Sequence, residues 1–167
     1  MEKNKDFMYG IGRVMYNGLL VGYIEKGSWD FGGAKPSVEK VEAEQVPGSP
    51  VLVLPQSNGT VSPTFNMIQM NYKNMKQLLG GSLHYKADDL SHTTPIGWTA
   101  PSTAMVMSGY WQIDLVSGQS VLMPNATLLS NIGGKLTISE VSKIECQLEV
   151  AMPADGSQPY GVFDTDA

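Results

Sequence analysis

Between Ser82 and Pro101 the chain sets His84, Asp88, Asp89 and His92 within nine positions. Two imidazoles and two carboxylates are a donor set that zinc or another divalent ion accepts. Their spacing matches no metal-binding motif, so the preferred reading is polar groups at an interface or in solvent, with no metal and no cofactor. A strand would hold the carboxylates Glu145 and Glu149 on one face about 13 Å apart, too far for a glycoside hydrolase pair. Cys146, the one cysteine, shares the apolar parity of Ile144 and Leu148 and is expected in the core, not as a nucleophile. Gly10-Ile11-Gly12 is half of a phosphate-cradling fingerprint, but a hairpin and not a helix follows it. Trp29, Trp98, Tyr110 and Trp111 could stack on sugars or bases, although packing in sheets and interfaces is the commoner use of such rings. No catalytic residue is expected.

The elements that must position these groups are mostly strands. In Lys143–Gly156, Ile144, Cys146, Leu148, Val150 and Met152 alternate with Glu145, Gln147 and Glu149, which gives a strand one apolar and one acidic face. Asn17-Gly18 between two β-prone runs predicts a type I′ hairpin, and Gly22 marks a bulge or close backbone approach. Pro36–Val46 reads as a polar strand or ribbon, and Val51–Leu54, boxed by Pro50 and Pro55, as a short buried strand. Gly59–Met70 reads as a strand interrupted at Ser62-Pro63. One helix is expected over about Tyr72–Leu79, capped by Asn71 and ended by Gly80. Residues 82–101 are expected to be a long loop. Strands resume over Thr103–Val116, Ser120–Leu129, Leu136–Ser139 and the acidic stretch. The class is mainly β: a single sandwich or barrel-like domain over residues 1–167 with one short flanking helix, an N-terminal arm (1–8) and a C-terminal tail (153–167).

A chain of 167 residues with 42% hydrophobic residues, 18 glycines and 10 prolines suits one turn-rich globular domain. The net charge of −5 argues against a surface that grips nucleic acid, which needs clustered Lys and Arg. The start MEKNKDF is charged and no long apolar run follows, so neither a secretory leader nor a membrane anchor is expected.

The order of these features resembles the tail tube, or major tail, proteins of long-tailed bacteriophages, related in fold to the tubes of contractile injection systems. The resemblance is carried by GIGRVMYNGLLVGYIEKGSW, PSVEKVEAEQ, LLGGS, VLMPNATL and the last strand leading into MPADGSQPYGVF. It implies a structural subunit, not an enzyme, that forms hexameric rings stacked into a tube through which DNA passes without specific binding. It implies assembly in the host bacterial cytoplasm, a place in the virion tail, and tape-measure, tail terminator and distal tail proteins as partners. It also implies an acidic channel wall, here Glu145, Gln147, Glu149, Glu42 and Glu44. Contacts between subunits would fall to His84, Asp88, Asp89, His92 and Trp98. Two rival readings are a monomeric carbohydrate-binding sandwich using Trp98 or Trp111, and a metal-dependent enzyme using His84 and His92.

Overall fold

A computed structural model of the chain describes residues 5–104 and 106–165. In chain order the elements are β1 (Ile11–Tyr16), β2 (Leu19–Leu20), β3 (Ser37–Val41), β4 (Leu52–Ser57), β5 (Thr64–Met67), α1 (Tyr72–Leu79), β6 (Ser82–Tyr85), β7 (Pro95–Thr99), β8 (Met107–Leu115), β9 (Gln119–Gly133), β10 (Lys143–Val150) and β11 (Gly161–Asp164). The class is mainly β with a single short helix among the described residues, consistent with a β-sandwich-like domain. No helix among them is long and apolar enough to cross a membrane.

The principal sheet runs β2-β1-β8-β9-β10-β5, all antiparallel. Asn17 and Gly18 take the positive φ angles, 49° and 81°, that the tight β1–β2 turn requires. β9 is long enough to carry two partners on one edge, β11 against Gln119–Leu122 and β10 against Ala126–Gly133. Pro124, which has no N–H to give a ladder, falls between them. The inward parity of β9 switches there, from Val121 and Met123 to Ala126 and Leu128. A register shift between Gly109 and Trp111 answers it on β8, and Trp111 and Ile113 still face inward.

Val14, Phe65, Met67, Trp111, Ile113, Met123, Leu128, Ile144 and Leu148 build the core on one face of this sheet. The helix supplies Leu78 to it. Asn71 Oδ1 accepts the Asn74 N–H at 2.8 Å, Gly80 closes the helix at φ 75°, and Ser130 Oγ on β9 donates to the Leu78 carbonyl. Eight residues make a helix too short to persist alone, so this docking maintains it.

From β2 the chain turns over the core at Gly22, where a Cβ would sit 2.6 Å from Asn74 Nδ2. It then runs along the free edge of β5 through Ile24↔Met67 and Asp30↔Thr64. The same antiparallel pairing continues outward through Ala34↔Thr60 into β3 and β4. The result is a two-stranded ribbon rooted in the body and leaving it at the tip.

Several expectations are corrected. Val51–Leu54 is no buried strand: every residue of β3 and β4 is exposed, because among the described residues each of the two strands pairs only with the other. Residues 82–101 are not a long loop, since β6 and β7 pair as a hairpin. Its seat is the helix end, where Trp98 Nε1 donates to the Gly80 carbonyl at 2.8 Å. Leu136–Ser139 forms an exposed turn instead of a strand. The C-terminal tail contributes β11 to the sheet, and Lys5 pairs with Asp164 at 3.0 Å, so arm and tail meet beside the β8–β9 turn. The first four residues of the arm and the last two of the tail lie outside the described residues.

Candidate assembly surfaces

The acidic parity of β10 lies on the face of the sheet opposite the core. Ile144, Cys146 and Leu148 are buried, while Glu145 and Glu149 are exposed and Gln147 is half-buried. Across the ladder Glu145 lies beside Asn131 and Asn66, Gln147 beside Thr64 and the exposed Leu129, and Glu149 beside Thr127. Asn131 Nδ2 donates to Glu145 Oε2 at 3.2 Å, and Ser62 Oγ and Gln147 Nε2 donate to Glu149 Oε1 at 2.9 and 2.6 Å. Gly133 leaves the space over which the Glu145 carboxylate folds.

Ion pairs between side chains of the described residues join Lys5 to Asp164, Arg13 to Asp114 and Lys143 to Glu25; neither Glu145 nor Glu149 enters one. Their charge is therefore presented to whatever faces the sheet. The Glu25 carboxyl is held below its usual value by the Asn66 amide and by Lys143. Asp114 is nearly buried, which by itself raises its pKa. Hydrogen bonds from Gln112 and Ser120, with Arg13 alongside, outweigh that and hold it below its usual value. Burial pushes the Cys146 thiol up to about 12, in keeping with a core role.

Glu42 and Glu44 are not part of this face. They lie past the end of β3, in the turn at the ribbon tip. One subunit's sheet face thus carries three of the five residues expected on a common wall, and the other two travel with the ribbon.

His84, Asp88, Asp89, His92 and Trp98 all belong to the β6–β7 hairpin or its turn, where they mostly serve the hairpin itself. His84 Nε2 meets Thr99 Oγ1, and the His92 ring stacks on Tyr85 with centroids 4.6 Å apart. Asp89 accepts from the Thr93 and Thr94 backbone and from Ser91, contacts that lower its pKa, with the Thr94 N–H the strongest cause. Among the described residues no three His, Cys, Asp or Glu side chains converge as a metal site would require. Trp111 is fully buried against Tyr16 and Phe65, which removes it as a platform for a sugar.

Two surfaces escaped the sequence reading. On the ribbon, Val41, Leu52 and Leu54 project on one face and Val38, Val51 and Val53 on the other, all between 39% and 52% exposed. A signal was present in Pro55, a residue that central strands exclude and that here lies within β4 opposite Val38. In the turn after β9, Leu136, Ile138 and Val141 are 84%, 109% and 64% exposed. A third feature is a cleft of about 930 Å³ between β1 and residues 22–31, floored by Val14, Leu115 and Trp29. Beside it Ile11–Arg13 pairs only with β8, because β2 reaches no further than Met15.

The sequence matches no protein-family model and no curated protein.

Proposed function

We propose that this protein is a structural subunit of a phage tail tube, one that assembles into hexameric rings stacking around a channel for DNA. The observation that carries this reading is the β3–β4 ribbon. Its large aliphatic side chains are exposed on both faces, and burying each would release roughly 1 kcal/mol that the isolated chain forgoes. A two-stranded arm whose aliphatic side chains are left exposed by the described residues is suited to a neighbouring subunit.

Two further features support the reading. The short open edge of β1 is a place where a neighbour's sheet can continue this one, which would remove an exposed edge. The carboxylates of β10, which enter no ion pair among the described residues, would give a channel a wall that repels phosphate and so prevents DNA from adhering. In a tube the acidic sheet face looks inward and the ribbon reaches the next ring.

The carbohydrate-binding alternative is the weaker one, because of its two candidate platforms Trp111 is in the core and Trp98 is partly buried with its N–H committed to Gly80. Negative-stain microscopy of concentrated protein tests the proposal: rings or hollow tubes are expected. A protein that stays monomeric across concentration and salt overturns it.

A further inference from the structure

The cleft of about 930 Å³ lies where the chain leaves β2 and crosses to the edge of β5, so that β1 forms one wall and residues 22–31 the other. Val14, Leu115 and Trp29 give it an apolar floor. Met8, Leu20, Tyr23 and Phe31 line it as well and are 40% to 74% exposed. A strand is about 4.8 Å wide in its sheet, about 10 Å thick with its side chains and about 3.3 Å long per residue, so the volume suits an insert of about six residues.

Each wall carries backbone that no strand pairs with on the cleft side. On β1 the last bond from the β2 side runs from the Val21 N–H to the Val14 carbonyl at 2.9 Å, so Ile11–Arg13 has β8 on one side and the cleft on the other. On the opposite wall Ile24 is paired with Met67. Two bonds flank that pair, from the Glu25 N–H to the Asn66 carbonyl at 2.8 Å and from the Ile68 N–H to the Tyr23 carbonyl at 2.9 Å. In an antiparallel pair flanked in this way, each residue's own N–H and C=O turn to the far edge of its strand. Those of Ile24, itself part of the cleft wall, accordingly make no hydrogen bond among the described residues.

We infer that this cleft receives one extended segment of another protein, which pairs with β1 and with Ile24 and sets every second side chain on the floor. A lipid or other apolar small molecule would cover the floor but leave the main-chain groups of the walls without partners, whereas a polypeptide strand offers N–H and C=O to both. Of the charged residues that line the cleft, Arg13 is paired with Asp114 and Glu25 with Lys143. Lys26 is exposed and enters no ion pair among the described residues. The fitting segment is therefore apolar at alternate positions and acidic at the end that reaches Lys26. Every strand of the described residues already has a partner, and the donor is accordingly assigned to a different protein and not to a second copy. The inference goes beyond the assembly proposed above and does not rest on it. Since β1 has one free edge, an inserted strand and a neighbouring subunit's sheet exclude one another there.

The probe is a set of blocked, fluorophore-bearing heptapeptides in which Val, Leu, Ile or Phe alternates with Thr and the last residue is Glu. They are titrated against the full chain at concentrations where sedimentation shows it monomeric. Saturable binding by members of the set is expected, with the Ile24 amide, followed by NMR, exchanging with solvent at least about tenfold more slowly in the complex. N-methylation of alternate peptide nitrogens, on either parity, keeps the side chains and should weaken binding at least about tenfold. Lys26→Glu, a change at an exposed residue, should weaken it about threefold, and ending the peptide in Lys should recover that loss. No binding by any of the set, equal affinity for the methylated peptides, unchanged exchange at Ile24, or binding of laurate in place of the peptides overturns the inference. So does displacement of the peptide by unlabelled protein alone, since a second copy would then be filling the cleft. Rings or tubes that form without such binding leave the tube reading intact.

Discussion

Reversing the acidic face of β10 with Glu145→Lys and Glu149→Lys separates its effect on folding from its effect on DNA. Three side-chain hydrogen bonds are lost, from Asn131 to Glu145 and from Ser62 and Gln147 to Glu149, each on the solvent side of the sheet. Exposed bonds of this kind contribute at the low end of the usual range, so the pair should cost the monomer about 1–2 kcal/mol. That corresponds to a fall in melting temperature of a few degrees for a chain of this size, by roughly 2–4 °C per kcal/mol. The apolar parity is untouched, and the two reversals move the formal charge by four units, from −5 to −1. Assembled variant protein should then bind duplex DNA where wild type does not. The dependence of log K on log salt should steepen by about 0.9 for each lysine that meets a phosphate. Thermal unfolding and fluorescence anisotropy across a salt series read the two effects separately. A loss of more than about 3 kcal/mol would mean that these residues are part of the packing and that the face is misassigned. An assembled variant as indifferent to DNA as wild type would refute the channel-wall reasoning.

Two other predictions concern the fold. Native Cys146 should react with a disulfide reagent at pH 8 at least about 100-fold more slowly than in the unfolded chain, because exposure requires opening the core. Its thiol is raised from the ordinary value of 9.0 to about 12. The folded state therefore keeps a proton that the unfolded state loses, and Cys146 lowers stability as pH rises from 9 towards 12, with no effect below that window. Denaturant melts of wild type and Cys146→Ala across that range should diverge in slope. Gly33→Ala places a side chain at φ 82° and drives it into the Thr60 carbonyl at the root of the ribbon. It should cost about 2 kcal/mol or more and impair assembly, as read by denaturant unfolding and sedimentation. An unchanged midpoint would show that the root is free to shift.

Period and turn chemistry were legible wherever the deciding interactions are local. The two faces of β10 follow from strict alternation, the helix from Asn71, Leu78 and Gly80, and the first hairpin from Asn17-Gly18, because backbone geometry alone enforces each. At Gly22, where a bulge or a close backbone approach was expected, the neighbours that crowd in are the side chains of Asn74 and Gln69, which arrive from elsewhere in the chain. The three acidic-face residues were found by their parity. The ribbon's first strand was read as a polar strand or ribbon, but its pairing with an exposed VLVL was missed, as was the apolar turn after β9.

Alternation states which side chains share a face. It does not state whether anything covers that face. Val51–Leu54 and Leu136–Ile138 have the composition of core strands, and only the tertiary arrangement leaves them outside, since the core is already filled by Phe65, Trp111, Met123 and Leu148. Conversely, GVFD in the polar C-terminal tail became a strand because β9 extends past β10 and offers a vacant edge. The sequence by itself determined a mainly β chain with an acidic strand face and one capped helix. Burial and edge pairing were decided by the tertiary structure, because both depend on contacts between residues far apart in the chain.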